Sequence, residues 1–237
     1  MKKQIGISLE AITILLFTIH MSAAGVVIEQ QMKDKEGKAT QVVLYCSEDQ
    51  LRTDHPESGL TTILDFKGDQ ILLIDHHSKG YLLMKLSQWE KEVAKELKKN
   101  NPAIRLKERV IMVKRAGETA NLNGVNTEKI QVFADGELIE EHWVAKDIDM
   151  GEADRVMEKA TQELSKEFQP ELKEGQEIHK KVKPYGFSVL VKDYTITHGL
   201  GAIDILEVKK IERKELKDEV FLPPKGYEKI VPQPLKK

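Results

Sequence analysis

Between Val26 and Met84 the chain is interrupted so often that only short strands fit. Six apolar and β-branched runs follow one another: Val26 to Met32, Thr40 to Cys46, Gln50 to Asp54, Leu60 to Phe66, Ile71 to Ile74 and Gly80 to Met84. Polar, glycine-bearing breaks divide them, among them Lys33-Asp34-Lys35-Glu36-Gly37-Lys38, Glu57-Ser58-Gly59 and the hairpin signal Lys67-Gly68-Asp69. Strands joined by turns every few residues form an antiparallel meander.

The period then changes. Ser87 to Lys99 carries Trp89, Val93 and Leu97 four apart, the apolar stripe of a helix. Ser87 with Glu90 three residues on reads as its capping box, and Asn100-Asn101-Pro102 stops it. Strands resume at Val110 to Val113. Glu128 to Phe133 and Glu137 to Lys146 then flank the turn Ala134-Asp135-Gly136. A second helix is expected over Asp149 to Phe168, with Val156, Ala160, Leu164 and Phe168 as its stripe and Pro170 after its end. Glu171 to Tyr185 reads as a loop or a ragged helix. Phe187 to Lys192 and Ala202 to Ile211 are late strands, and Phe221 to Tyr227 is an extended segment stiffened by its prolines. No internal repeat and no dividing linker stand out. Two helices cannot cover both faces of so many strands. The expected fold is therefore α+β: one strongly curved antiparallel sheet, an open half-barrel, with the helices against its concave face.

Residues 1–24 form a separate unit. Lys2 and Lys3 precede the short apolar run Ala11 to Ile19, and Ser22-Ala23-Ala24 follows with small side chains. That order is expected of a Sec-type signal peptide cleaved after Ala24. The run is too short for a permanent anchor, which takes roughly 20 apolar residues. Residues 25–237 are then a single domain, periplasmic or secreted and not an integral membrane protein. The 237 residues are 40% hydrophobic and 32% charged, enough for a core in a soluble chain. The formal charge is −2, and −3 without Lys2, Lys3 and Glu10, so no basic footprint for nucleic acid exists. The one cysteine, Cys46, sits in the run Val42 to Cys46 and is expected to behave as a small core hydrophobe.

Few residues point to chemistry. No HExxH or CxxC pattern is present, so no metal ligands are assigned. His76 and His77 are adjacent, and so are His142 and Trp143. On extended backbone such neighbours face opposite ways. Asp65, Asp69 and Asp75 sit at strand ends or turns, where Asp caps backbone groups. No GxSxG elbow occurs, although the members of a Ser-His-Asp triad need not be neighbours in sequence. No cofactor is indicated. What remains is apolar surface. Leu64, Leu72, Ile74, Leu82 and Met84 are candidates to line a ligand cavity, with Trp89 and Trp143 as its lids or walls. The other reading of these residues is solid core.

Three segments carry a family resemblance. Leu51 to Met84 (LRTDHPESGLTTILDFKGDQILLIDHHSKGYLLM), with its T-x-I-x-D hairpin at Thr61, Ile63 and Asp65, resembles exported bacterial proteins of the DUF4412 type. Gly136 to Ile148 (GELIEEHWVAKDI) is similar to that family's later hairpin, and Phe221 to Ile230 (FLPPKGYEKI) to its closing segment. The resemblance implies a fold like that of the LolA/LolB lipoprotein carriers and an exported location. It implies no catalytic residues. The expected function is non-enzymatic binding of a hydrophobic ligand, with a lipid or a lipoprotein as partner. An alternative is an envelope module that grips another protein and has no lipid ligand. A third reading, a hydrolase of envelope material, would need an Asp or His whose loss abolishes turnover.

Overall fold

A computed structural model describes residues 24–34, 36–92, 109–167, 169–194 and 204–231. The signal segment expected over 1–24 lies, but for Ala24, outside the described residues. So do Val93 and Leu97 of the first helical stripe and Phe168 of the second.

Among the described residues twelve strands make one curved, unclosed sheet. In chain order they are β1 (Ala24–Lys33), β2 (Ala39–Cys46), β3 (Gln50–His55), β4 (Leu60–Asp65), β5 (Gln70–Asp75) and β6 (Gly80–Lys85). Then come β7 (Ile111–Leu122), β8 (Val125–Ala134), β9 (Glu137–Ala145), β10 (Phe187–Asp193), β11 (Asp204–Glu215) and β12 (Glu228–Lys229). Their order across the sheet is β12-β6-β5-β4-β3-β2-β1-β11-β10-β9-β8-β7. Two meanders therefore meet where β1 pairs with β11. Among the described residues all pairs are antiparallel except the two-residue contact of β12 with β6.

The first meander contains a repeat that the sequence reading missed. Strands β3, β4, β5 and β6 are six residues each and begin at Gln50, Leu60, Gln70 and Gly80. The four-residue turns between them end in the left-handed region, at Gly59 (φ 64°), Asp69 (φ 50°) and Lys79 (φ 52°). The first N–H after each strand reaches the previous turn on the same end: Phe66 to Asp49 O at 3.0 Å, His76 to Gly59 O at 2.8 Å, Leu86 to Asp69 O at 3.1 Å. The repeat lies in backbone spacing, and the strand residues themselves differ. The next carbonyl in the series, Lys79 O, is taken at 3.0 Å by Glu228 N–H, so β12 continues the ladder from the far end of the chain. A Cβ at Gly80 would stand 2.5 Å from Ile230 Cδ1, so a side chain there would displace the end of the Ile230 side chain.

Elsewhere the elements run longer than expected. β7 continues to Leu122, and a two-residue turn of Asn123 (φ 51°) and Gly124 (φ 83°) joins it to β8. Asn-Gly is the strongest short hairpin signal, and it marks this turn in the sequence. The segment read as a loop or ragged helix is helical over Gln169–Val182. Pro170 opens that helix, in the first turn, where a missing N–H leaves no bond unmade.

Among the described residues three α-helices lie on one face of the sheet: α1 (described over 86–92), α2 (Glu152–Glu167) and α3 (Gln169–Val182). Leu86 and Trp89 of α1 meet Leu64 and Ile71 of the sheet and Ala160 of α2. Ala153 and Val156 of α2 cover Val26, Ile28 and Cys46. Ile178 and Val182 of α3 cover Ile111, Ile130 and Val132. Full burial of each Val, Leu or Ile among them contributes about 1.5–3 kcal/mol. The capping of α1 differs from expectation. Ser87 gives both its N–H (3.0 Å) and its hydroxyl (2.9 Å) to Asp69, so a turn of the sheet caps the helix.

The opposite face has a different cover. A 3-10 turn at Asp218–Phe221 and the segment after it lie over the first meander, where Phe221 packs with Ile63, Leu72 and Ile74. This explains the unbroken apolar run of β5. Ile71 faces the helices and Leu72 faces the C-terminal segment, and they are 1% and 6% exposed.

Candidate functional site

Strand register decides which of the seven nominated residues can share a site. In the hairpin ladders Leu64 is opposite Ile71, and Ile71 is opposite Met84. One row further along, Thr62 is opposite Leu73 and Leu73 opposite Leu82. Directly opposed residues share a face. Leu64, Leu82 and Met84 therefore stand on the helix face, where Met84 and Trp89 pack against Leu64, Ile71 and Ala160.

Leu72 and Ile74 belong to the other phase of β5. They lie under Phe221 on the far side of the sheet, with Tyr45, Tyr81 and Tyr227 around them. Trp143 is also on that far side, in the second meander: it is opposite Leu190 and Lys129, and the Lys129 ammonium sits 5.0 Å from the centre of its ring. The register thus divides the five lining candidates and the two tryptophans into a helix-face group of four, a pair beneath the C-terminal segment, and Trp143 elsewhere on the far face. The physical reason is the two-residue period of a strand, which sends adjacent side chains to opposite faces.

The helix-face group is only partly covered. Leu64 is 8% exposed, while Leu73, Leu82 and Met84 are half-buried. On the same face Leu60, at the start of β4, is 48% exposed. Apolar side chains thus continue from the packed zone under α2 toward the open end of β4, β5 and β6. Two open clefts among the described residues lie elsewhere. One, of about 480 Å³, is lined by Ser47, Asp49, Asp65, Lys67 and Asp218 among others. The second, of about 410 Å³, is lined by Asn123, Asp149, Val208, Lys210 and Arg213 among others. Both are open and carry charged walls, and neither touches Leu64, Leu82, Met84 or Trp89.

The polar groups singled out in the sequence have local partners. Asp65 accepts from Gly68 N–H at 2.7 Å, and Asp75 from His77 N–H at 2.9 Å and Ser78 Oγ at 2.7 Å. Asp69 caps α1, and the Ser87 N–H holds its carboxyl below the usual range. Cys46 is fully buried, and burial pushes its thiol up to about 12. His142 and Trp143 do face opposite ways. Among the described residues no group of three or more His, Cys, Asp or Glu is arranged to hold a metal ion. No described helix is long and apolar enough to cross a membrane.

Burial also exposes polar clusters that no motif announced. On the Trp143 side, Glu141 is 8% exposed and accepts the Tyr194 hydroxyl at 2.6 Å. Burial works to raise the Glu141 carboxyl, but hydrogen bonds from Tyr194 and Gln131 and the Lys129 charge outweigh it and hold it low. Tyr194, half-buried and beside that carboxylate, rises to about 12. On the helix side, His142 lies between Glu140 and Ser188. Sequence spacing places Glu140 and His142 on one face, but only the fold brings Ser188 to them.

No curated protein matches the chain. Among solved structures it is similar to an uncharacterized conserved protein from Thermus thermophilus, with a TM-score of 0.46 and 10% identity over 89% of this chain and 91% of that one. It is similar to PNGF-II, with a TM-score of 0.36 and 11% identity over 88% of this chain and 31% of that one. It is also similar to a LolA superfamily protein from Nitrosomonas europaea, with a TM-score of 0.32 and 8% identity over 85% of this chain and 90% of that one. The family model described as a domain of unknown function, DUF4412, matches residues 24–227, and the chain belongs to that family.

Proposed function

We propose that the helix face is the hollow side of an open half-barrel and that its uncovered rows bind a fatty acyl chain, carried by a lipid or by a lipidated protein, outside the cytoplasm. The observation that carries this reading is the run of helix-face leucines on the first meander. Leu73 and Leu82 are half-buried and Leu60 is 48% exposed, on the face whose neighbouring row is packed under α1 and α2. Each methylene that such a surface takes out of water contributes about 0.8 kcal/mol. Binding of this kind needs no titrating group. The location rests on the signal segment over 1–24.

The test is mass spectrometry of the chain purified from its native envelope, followed by titration with a fluorescent fatty acid. Co-purified acyl lipid and saturable binding are expected. A chain that retains no lipid and shows only non-saturable binding would sink the reading.

A second reading, an envelope protein-interaction module, is favoured by the outer edge of β7. Among the described strands β7 is outermost; Lys181 takes the Ile111 carbonyl on it, and Val110 and Met112 are 66% and 42% exposed. Unpaired strand edges are templates for an added strand. Cross-linking that traps one defined partner through Val110 to Lys114, with no lipid retained, would favour this reading over the first.

A further inference from the structure

Glu140 and His142 are two residues apart on β9, so both point to the helix face, as do their β8 partners Val132 and Ile130. His142 Nε2 lies 2.6 Å from Glu140 Oε2, and His142 Nδ1 lies 3.0 Å from Ser188 Oγ. A carboxylate only accepts hydrogen bonds. It fixes the imidazole proton on Nε2 and leaves the Nδ1 lone pair facing the Ser188 hydroxyl, which donates to it. His142 is 8% exposed, whereas Ser188 is half-buried. The pairing of β10 with β9 slips between Ser188 and Leu190, a bulge that takes Val189 out of the ladder. Such bulges re-aim side chains and free backbone N–H groups.

The surroundings supply a path for an apolar group. His142 is opposite Val191, Val191 opposite Leu206, and Leu206 opposite Met32, which is 41% exposed. A row of apolar side chains on adjacent strands thus runs from an exposed methionine to the imidazole.

We propose that Ser188 is the nucleophile of a carboxylic-ester hydrolysis, with His142 as its base and Glu140 as the positioning residue that holds the imidazole. Ser188 Oγ bonds to the ester carbonyl carbon as its proton passes to His142 Nδ1. The tetrahedral adduct collapses by breaking the bond to the alcohol oxygen, which leaves with that proton. Water, deprotonated by His142, then attacks the acyl-serine, and collapse releases the carboxylic acid and restores the Ser188 hydroxyl. The oxyanion donor assigned in this scheme is the N–H of Val189, the bulge residue next to the nucleophile. The substrate class is an ester with an apolar acyl group, which lies along Val191 and Leu206. This goes beyond the binding reading and does not use the β4–β6 leucines.

The test uses the full chain with p-nitrophenyl butyrate and with a fluorophosphonate that labels activated serines. One adduct is expected, mapped to Ser188, with measurable hydrolysis. Ser188→Ala and His142→Ala should each lower turnover about a thousandfold. Glu140→Gln should lower kcat with KM unchanged, and Glu140→Asp should restore part of it. A folded wild-type chain that takes no label at Ser188, or that hydrolyses the ester no faster than folded Ser188→Ala, overturns the proposal. Ser188→Ala keeps the fatty-acid binding proposed above, so failure of one idea is distinguishable from failure of the other. Should Ser188→Ala not fold, the position of the fluorophosphonate adduct on the wild-type chain decides alone.

Discussion

The Tyr227 hydroxyl lies 2.9 Å from His76 Nδ1, and that contact fastens the C-terminal segment to the turn between β5 and β6. The proton order along the connected groups follows from their chemistry. Thr61 Oγ1 is 2.6 Å from Asp54 Oδ1, and a carboxylate paired with Arg52 can only accept, so Thr61 donates. Thr61 then accepts from His76 Nε2–H at 3.0 Å, which leaves Nδ1 to accept from Tyr227. Arg52 extends the chain by donating to Val220 O at 2.6 Å. Two side-chain hydrogen bonds, at Val220 and at Tyr227, thus add to the β12 backbone bonds from Glu228 and Ile230 in holding a segment that also covers Ile63, Leu72 and Ile74.

Tyr227→Phe should therefore lower stability by about 1–2 kcal/mol. It removes one hydrogen bond and leaves the half-buried His76 Nδ1 without its donor. The edge-on ring contact with His76, at 5.6 Å between centroids, survives in this variant, so Tyr227→Ala should cost more. Urea unfolding of the three chains checks the order. Equal midpoints for wild type and Tyr227→Phe would show that the Tyr227 hydroxyl adds nothing to the hold on the segment.

The response to alkali follows from Cys46 and Tyr194. Burial raises the Cys46 thiol from near 9.0 to about 12. Burial, then the Glu141 hydrogen bond and charge, raises Tyr194 from near 10.0 to about 12. Both groups are held in the protonated form, so their contribution is complete below the ordinary values. It is lost as pH climbs from about 9 through 12, where the unfolded chain releases protons that the folded chain keeps. Unfolding free energy should thus fall steeply above about pH 9, and the fall should be shallower in Cys46→Ala. At neutral pH Cys46 should resist a thiol reagent until urea is added. A native chain that reacts at once would contradict its burial.

How far the sequence foretold all this depends on what each signal encodes. Turn chemistry fixes hairpins locally, so the Lys67-Gly68-Asp69 and Ala134-Asp135-Gly136 turns were readable, and Asn123-Gly124 carried the same signal. Phase was harder. In β5 every residue from Ile71 to Ile74 is apolar, so alternation does not say which face each one takes. A hairpin centred on Lys67 and Gly68 does make Leu64 and Ile71 partners, and that separates Leu64 from Leu72 and Ile74. The need for apolar residues on both faces comes from Phe221 and Tyr227, more than a hundred residues away, which no local pattern reports. Ser188 reaches His142 for the same reason, through the pairing of β9 with β10 across two intervening helices.

The cap on α1 makes a local prediction. Asp69 sits at φ 50°, a conformation that glycine adopts freely, and it accepts both Ser87 donors. Asp69→Gly keeps the turn and removes the cap. Hydrogen exchange at the Ser87 amide should quicken while the strand amides of β4 and β5 stay protected. The Ser87 N–H and then its hydroxyl lower the Asp69 carboxyl below its ordinary 3.8. The contribution of the cap is therefore present above that pH and lost as pH falls through the lowered value. Unchanged exchange at Ser87 would mean that water replaces the carboxylate without loss.

The split of the nominated residues between two faces gives the sharpest test of ligand binding. Leu82 stands half-buried on the helix face, and Leu72 lies 6% exposed beneath the C-terminal segment. Leu82→Asp places a charge where an acyl chain would lie, and it should raise the Kd for a fluorescent fatty acid at least about tenfold, with little loss of stability. Leu72→Ala should do the reverse. Its cavity costs about 2–5 kcal/mol, while the folded fraction binds as wild type does. Trp143 is on the far face, so Trp143→Phe should leave Kd unchanged and make Trp89 the only fluorescent tryptophan. Trp89 packs with Leu64 and Met84, so its emission should respond to the ligand. If Leu82→Asp binds as tightly as wild type, the apolar rows of the helix face are core that happens to be partly wet, and the acyl-binding reading falls.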